Sequence, residues 1–194
     1  MKTCIVQIQS ISEYSQSRYI DPALKGEKET NDDFEKRIWP EKMHADQSGE
    51  VYIPPMAFKQ SLDEACRYLA LKVPGRGKTT YTKHFKSGVL CTKPVMLGVK
   101  KSDIKGETLL MNSDGVRGSG KRVPRIFPVI HSWSGEVEFA ILDDIITEDV
   151  FIRVMREAGQ LIGVGRFRPQ NGGYYGRFSV VSYEWAEDEE MLAA

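Results

Sequence analysis

The chain has 194 residues, 41% of them hydrophobic and 28% charged, and its 27 basic and 27 acidic side chains give a formal net charge of zero. This length and hydrophobic content suffice for one proper core, so we predict a single domain over residues 1–194. The sequence contains no apolar run long enough to span a membrane, and its first residues lead into a strand-like stretch without a signal-peptide pattern. We therefore expect a cytoplasmic protein with no membrane partner.

The first third of the chain is predicted to contain a strand, a long insertion and a helix. In KTCIVQIQSISEY, apolar residues occupy every second position from Cys4 to Ile8, so they would share one face of a strand, and this period of two is typical of a strand. The segment from about residue 10 to residue 50 is polar and has no regular spacing of apolar residues, so we interpret it as an insertion. A short strand at Val51–Ile53 then leads into a proline pair and apolar residues at helical spacing, which predict a helix from about Pro55 to Leu71.

The middle of the chain is predicted to be rich in strands and to carry a second insertion. Residues Val89 to Val99 have the composition of a strand. The next residues, about 100–125, contain four glycines spaced as in an extended hairpin or a mobile finger, and we interpret them as an insertion. Two strands at Ile126–His131 and Gly135–Leu142 follow across a Ser-Gly turn.

The last third is predicted to contain a helix, a glycine-rich loop and a closing strand. Thr147 is placed to cap a helix whose first turn contains Glu148 and Asp149, where negative charge is favourable. The loop leads into the strand-like YYGRFSVVSYEW and an acidic tail at about 184–194. Two helices among antiparallel strands predict an α+β fold, a modified ferredoxin-like antiparallel sheet with two helices and long insertions.

The charges are unevenly distributed along the chain although they sum to zero. Residues 72–125 contain thirteen Lys or Arg against three acids, whereas residues 21–50 contain nine acids against five bases. Residues 184–190 contain five acids and no base. This asymmetry favours a basic surface for a polyanion, with acidic segments that face solvent or meet a neighbouring copy.

Common nucleotide-binding and metal-binding motifs are absent from the sequence. The stretch PGRGKTT lacks the first glycine of a phosphate-binding loop because Lys72 stands there, and GVGRFR has Arg168 in place of the third glycine of a dinucleotide fingerprint. The three histidines and three cysteines are far apart and lack ligand spacing. We therefore predict no metal and no cofactor, and we expect the cysteines to be buried free thiols.

The stretch LIGVGRFRPQNGGYYGRFSV, residues 161–180, combines features that suit a nucleic-acid backbone. Its glycines permit positive φ and close backbone approach. Arg166, Arg168 and Arg177 supply fork-shaped donors for phosphates, and the aromatic residues stack on bases or anchor the loop to the core. A purely structural turn, whose arginines pair with the acidic tail, remains an alternative.

The predicted ligand is single-stranded RNA or DNA, bound without catalysis by residues of the basic middle and of the glycine-rich loop. These residues are Lys78, Lys83, His84, Lys86, Arg117, Lys121, Arg122, Arg166, Arg168, Tyr174 and Arg177. Two alternatives stay open. One is a metal-independent ribonuclease with His84 as general base, and the other is a decoy or inhibitor module that binds a host protein complex.

The segment VYIPPMAFKQSLDEA, residues 51–65, resembles a segment of the RAMP superfamily, the repeat-associated subunits of CRISPR effector complexes. In that superfamily an isoleucine-proline dipeptide starts the first helix and a lysine follows a hydrophobic residue. Here these positions are Ile53, Pro54, Phe58 and Lys59. The resemblance adds Lys59 to the predicted nucleic-acid-binding residues.

The glycine-rich loop occupies the place of the loop that follows the second helix in the same superfamily. The best likeness is to the repeated backbone subunit, which implies a modified RRM-like core, binding of single-stranded guide RNA and stacking into a helical filament. The chain departs from the pattern at Gln60, where the superfamily has a glycine, and it is short for such a subunit. We expect a stand-alone relative, such as one encoded by a phage.

Opposite charges on one molecule predict head-to-tail self-association into a homo-oligomer or a helical filament. The acids expected at this contact are Glu27, Asp32, Asp33 and Glu35, or the tail acids from Glu187 to Glu190. The bases expected on the neighbouring copy are Lys100, Lys101 and Arg122.

Overall fold

Nine strands and four α-helices are present in the computed structural model, which describes residues 1–113, 118 and 120–187. The strands are β1 (Lys2–Ser10), β2 (Tyr14–Ser15), β3 (Glu50–Ile53), β4 (Val89–Cys91), β5 (Val95–Lys100), β6 (Gly106–Asn112), β7 (Arg122–Ile130), β8 (Ser134–Ile141) and β9 (Phe178–Glu187). The helices are α1 (Asn31–Ile38), α2 (Pro55–Leu69), α3 (Thr82–Gly88) and α4 (Glu148–Glu157).

The central sheet has four strands in the order β4-β8-β1-β9, and all neighbouring strands are antiparallel. Helix α2 lies in the chain between β1 and β4, and α4 lies between β8 and β9. The series β1, α2, β4, β8, α4, β9 follows the βαββαβ order of the ferredoxin-like fold. The predicted α+β class with a ferredoxin-like sheet is therefore confirmed.

The hydrophobic core lies between one face of this sheet and the two connecting helices. Every second residue of β1, from Cys4 to Ile8, points to the core and is buried. Phe151 of α4 contacts this sheet through Phe139, with ring centroids 5.2 Å apart. Phe58 of α2 lies 5.6 Å from Phe178 at the start of β9. Burial of each such side chain contributes about 1.5–3 kcal/mol, so this layer is the main source of stability.

There are two smaller sheets, β2-β7-β6 and β3-β5, and the first is built in large part from the predicted insertions. The insertion at about 10–50 contains β2 and α1, and α1 begins after Thr30, whose hydroxyl accepts a hydrogen bond from Asp33 N–H. In the insertion at about 100–125, β6 pairs in regular register with β7, so the described part of this insertion is an extended hairpin. The acidic tail from residue 188 onward lies outside the described residues.

Several element boundaries differ from the sequence-based expectation. Helix α2 ends at Leu69 rather than Leu71, because Ala70 adopts a left-handed conformation with φ 46°. The single strand expected from Val89 to Val99 is divided into β4, which pairs with β8, and β5, which pairs with β3. Helix α3 lies in a basic segment for which no helix was predicted. No helix in the described part of the chain is long and apolar enough to cross a membrane.

Candidate nucleic-acid interface

The face of the central sheet opposite the core is acidic. Paired residues of neighbouring strands point to the same side, so Ile5 of β1 lies between Glu138 of β8 and Glu184 of β9. One pair further along, Gln7 donates a hydrogen bond of 2.7 Å to Glu136. RRM domains bind RNA by stacking bases on aromatic residues of their sheet. The residues that this face presents on the described parts of β1, β8 and β9 are aliphatic, polar or acidic, and the carboxylates repel phosphates.

The predicted binding residues lie in two groups at opposite ends of the central sheet. The first group, which we call the lysine group, consists of Lys78, Lys83 and Lys86 and directly precedes β4. The first residue of β4 pairs with Ile141, which also pairs with the first residue of β1, so the lysine group lies at the end of the sheet where β1 begins. The glycine loop, residues 163–177, precedes β9, which starts opposite the last residue of β1. The nine residues of β1 separate the two ends by roughly 26 Å. The structure therefore does not join all the predicted residues into one surface.

The three members of the lysine group are exposed and form no ion pair with a described residue. Lys78 lies in the turn before α3, and Lys83 and Lys86 are on α3 itself. They are available for contact with a polyanion at this end of the sheet.

Lys59, in contrast, is buried between α2 and α3. Its side chain is 8% exposed, and its Nζ donates hydrogen bonds to the Asp63 carboxylate and to the carbonyl oxygen of Phe85 at 2.9 Å. A phosphate at this position would have to displace Asp63. The contacts of Lys59 connect the two helices.

His84 is also buried and connects α3 to the segment after β8. Its Nδ1 lies 2.6 Å from Oδ2 of Asp143, and its Nε2 is buried without a hydrogen-bond partner among the described residues. Burial raises the pKa of Asp143, but the hydrogen bonds from His84 and from the Ile145 N–H outweigh it and hold the pKa below its ordinary value. Neither ring nitrogen of His84 faces solvent.

The glycine loop is tightly packed on the segment that follows β1. Arg166 N–H donates to the Ser15 carbonyl at 2.8 Å, and Gly176 N–H donates to the Glu13 carbonyl at 2.6 Å. A Cβ at Gly165 would lie 2.4 Å from the Tyr14 ring, and one at Gly176 would lie 1.8 Å from the Val164 carbonyl oxygen. Both glycines also have positive φ, at 79° and 75°. Side chains are therefore excluded at these positions by backbone conformation and by space.

Arg166 is enclosed by aromatic rings instead of being open to solvent. Its guanidinium carbon lies 3.2 Å from the centroid of Phe127 and 4.0 Å from that of Phe167. Its Nη2 contacts the sulfur of Met111 at 3.4 Å, and its Nη1 is buried without a partner among the described residues. Burial lowers the pKa of Arg166 to about 10, which leaves the side chain cationic at neutral pH. Its position supports the loop and the Phe167 ring.

The other predicted residues of the loop are more accessible. Tyr174 is 58% exposed, and its carbonyl oxygen accepts a hydrogen bond from the Ser12 hydroxyl. Arg177 is half-buried, and its Nε donates to the Gln160 carbonyl at 3.1 Å, which leaves the other guanidinium nitrogens for a ligand. Arg168 is half-buried, and its Nε is buried without a partner among the described residues.

The β6–β7 hairpin brings a second set of basic residues to the glycine loop. Lys121 and Arg122 are exposed at the start of β7. Arg122 and Phe167 line the same cavity of about 350 Å³, which joins the hairpin to the loop. Neither base forms an ion pair with a described residue. Arg117 lies outside the described residues.

A buried charge cluster connects the insertion that contains α1 to this hairpin. The Glu35 carboxylate accepts hydrogen bonds from Lys42 and from the Ile126 N–H, and it lies 3.3 Å from Arg125. Lys42 also lies over the Phe127 ring, 4.2 Å from its centroid. Glu35 was predicted to meet a neighbouring copy, and this prediction is wrong because its side chain is only 7% exposed. The cluster orders the hairpin that carries Arg122.

Sequence reasoning missed several residues that shape this end of the molecule. Phe127 and Met111 complete the environment of Arg166, and Asn171 lines the cavity beside Phe167. Phe127 is 39 positions from Arg166 in the sequence, and no local pattern predicts their contact. The signal that was available, the glycine spacing, identified the loop but not its partners.

Comparisons with known proteins support the fold. No family model and no curated protein matches the sequence. The chain is similar to one from the cryo-EM structure of the type III-B Cmr-beta complex bound to cognate target RNA, with 16% identity, a TM-score of 0.51 and coverage of 96% of this chain. It spans 61% of the length of that protein.

A second similar structure is the crystal structure of Cmr6 from Pyrococcus furiosus. The identity is 15%, the TM-score is 0.50, and the likeness covers 92% of this chain and 97% of that one. At such identities the likeness concerns the fold alone. It supports the RAMP-like fold that the sequence resemblance implies.

Proposed function

We propose that this protein binds single-stranded nucleic acid, and we take RNA as the ligand to test first. The binding surface consists of the glycine loop and the β6–β7 hairpin, at one end of the central sheet. The observation that carries this proposal is the convergence of unpaired cations there. Arg122 lines the same cavity as Phe167 of the glycine loop, and Arg168, Arg177 and the exposed Tyr174 belong to that loop. None of the three arginines forms an ion pair with a described residue. The acidic face of the sheet is unsuited to a polyanion.

The chemistry of these side chains favours a single strand over a duplex. Guanidinium groups bind phosphate oxygens through paired hydrogen bonds, and they keep their charge at every physiological pH. An exposed tyrosine such as Tyr174 stacks on a base only where that base is not already paired and stacked in a duplex. One of the similar structures is that of a complex bound to target RNA, which favours RNA as the ligand to test first.

The proposed role does not include catalysis. His84 was the candidate general base for RNA cleavage, and a general base must reach the proton that it removes. Here Nδ1 is held by Asp143 and Nε2 is buried, so His84 is placed for a structural role.

We further propose that copies associate head to tail along the strand. The acidic sheet face, with Glu136 and Glu184, is complementary in charge to the exposed lysine group of another copy. The two surfaces differ, so the contact is heterologous and propagates into a ring or an open helix. A strand that passes through successive copies adds further attachment to each of them.

Binding is tested by fluorescence anisotropy with a short labelled RNA. Substitution of both Arg122 and Arg168 by Ala should weaken binding strongly and lower the salt dependence, by about 0.7 in the slope of log K against log salt for each phosphate that is no longer neutralised. The matched control replaces Lys83 and Lys86, which lie at the other end of the sheet, by Ala. An equal decrease of affinity in both double variants would contradict the proposed location.

Two further measurements test the remaining parts of the proposal. Labelled RNA incubated with the protein in EDTA should stay intact and migrate as a retarded band, whereas discrete products would show a metal-independent ribonuclease. Light scattering should show particle mass that rises with strand length. Glu184→Lys should reduce this growth and leave binding of a short strand unchanged. A strict one-to-one complex on long strands would refute the self-association.

A further inference from the structure

A cavity of about 350 Å³ lies between the described part of the β6–β7 hairpin and the glycine loop. It is at the small end of the range of roughly 300–1,000 Å³ that is usual for ligand sites. Among the described residues, its wall combines the aromatic ring of Phe167 with aliphatic surface from Leu110 and Met111. The polar lining from this part of the chain comes from Asn112, Asn171 and Arg122. An aromatic wall with a few amide and guanidinium groups suits a flat, polar-edged ring.

Phe167 is held in an unfavourable backbone conformation at the wall of this cavity. Its φ is 54°, a left-handed value that costs a bulky residue of order 1–3 kcal/mol. The loop maintains this conformation, because Tyr175 N–H donates to the Phe167 carbonyl at 3.0 Å and the absence of a Cβ at Gly173 allows the backbones to approach. Strain of this kind persists where the surroundings enforce it, and it is common at ligand sites.

The Phe167 ring is supported from behind and open in front. The Arg166 guanidinium lies 4.0 Å from its centroid, and the Tyr175 ring lies 6.4 Å away at an angle of 66°. Phe167 as a residue nevertheless remains 36% exposed and lines the cavity. The buried Arg166 guanidinium thus fixes the Phe167 ring, and one face of the ring is left for a ligand.

We propose that this cavity takes one unstacked nucleobase of the bound strand, stacked on Phe167. The inference rests on the proposed function and deepens it, since it assigns base contact to the cavity and phosphate contact to the surrounding arginines. The Asn171 amide offers both donors and acceptors, so it can pair with the polar edge of a base. Arg122 at the mouth of the cavity is placed for the adjoining phosphate. Stacking on a ring accommodates any base, so it requires no sequence preference.

The test compares a single-stranded RNA with an abasic strand of the same length and charge. For the wild-type protein, the RNA should bind at least about 5-fold more tightly than the abasic strand, since each stacked base contributes a factor of about 5 to 150. Phe167→Gly should lower that advantage by the factor of one stacked base, leaving the contribution of Tyr174, and leave binding of the abasic strand unchanged. Glycine adopts the left-handed conformation without strain, so this variant is expected to fold. Phe167→Trp should retain the advantage.

Two matched variants separate this proposal from the proposed function. Arg168→Ala should weaken binding of both strands by the same factor, because it removes a phosphate contact. Tyr68→Ala, which removes an exposed aromatic residue from α2 at the other end of the sheet, should change neither. If Phe167→Gly weakens both strands equally or changes neither, the base pocket is refuted while strand binding stands. Failure of wild-type protein to bind either strand would refute the proposed function itself.

A free nucleotide is the other source of a base for this cavity. A nucleoside monophosphate at high concentration should displace the labelled RNA only weakly, because it lacks the neighbouring phosphates. Displacement at a concentration comparable to that of the RNA would assign the cavity to a free nucleotide and overturn the proposal.

Discussion

The close contact between Gly176 and Val164 gives a quantitative prediction for the glycine loop. A Cβ at Gly176 would lie 1.8 Å from the Val164 carbonyl oxygen, and the residue has φ 75°. Gly75 is a matched control, because its φ is 71° and a Cβ there would meet nothing within 4 Å. Both substitutions by Ala carry the cost of the left-handed conformation, about 1–2 kcal/mol. Only Gly176→Ala adds displacement of a neighbouring backbone, which costs about 1–3 kcal/mol by analogy with overpacked cores.

Thermal unfolding of the two variants measures this difference directly. For a domain of this size, 1 kcal/mol corresponds to roughly 2–4 °C in Tm, so Gly176→Ala should melt several degrees below Gly75→Ala. It should also bind RNA more weakly, since displacement of the loop at Gly176 moves the arginines beside it. Equal Tm values for the two variants would refute the packing described for the loop.

Three further predictions concern buried groups. Glu35→Gln should lower the free energy of unfolding by about 3–5 kcal/mol, because it leaves Lys42 buried without its counterion; an unchanged denaturation midpoint would contradict the cluster. The folded-state pKa of Asp143 lies below its ordinary value of 3.8, so its carboxylate stabilises the fold above about pH 4 and loses that effect as the pH falls through the folded pKa. Asp143→Asn, which weakens the contact with His84, should therefore show a smaller fall in stability below pH 4, measured by denaturation at a series of pH values. Burial raises the pKa of the half-buried Cys91 to about 11 and the pKa of the other two cysteines, which are fully buried, to about 12. A thiol reagent at pH 8 should therefore label Cys91 slowly and before the other two. Rapid labelling of all three cysteines in the native protein would contradict their burial.

The ferredoxin-like core was predictable because its elements have strong local patterns. Every second residue of β1 from Cys4 onward faces the core, and the apolar stripe of α4 follows the helical period. Helix α3 was missed because it has seven residues and one large apolar side chain, Phe85, in an otherwise basic and polar segment. Short helices of this kind are stabilised by tertiary contacts, here by stacking of Phe85 on Phe151, and not by their own pattern.

The candidate site was predictable only in part, for a related reason. The sequence identifies the glycine loop and its arginines, but the environment of each arginine depends on residues far away in the chain. Arg166, for example, lies against the ring of Phe127, which is 39 positions earlier in the chain. Likewise, nothing in the sequence shows that Lys59 is buried or that the lysine group lies at the opposite end of the sheet from the loop. The first fact follows from the packing of α2 against α3 and the second from strand register, and local patterns determine neither.

Ultraviolet crosslinking of the wild-type protein to single-stranded RNA, followed by mass spectrometry of the crosslinked peptides, tests the central claim most directly. We expect crosslinks at Phe167 and Tyr174 of the glycine loop and at the start of β7, where Lys121 and Arg122 lie. Crosslinks confined to the acidic sheet face of β1, β8 and β9, or to α3, would contradict it.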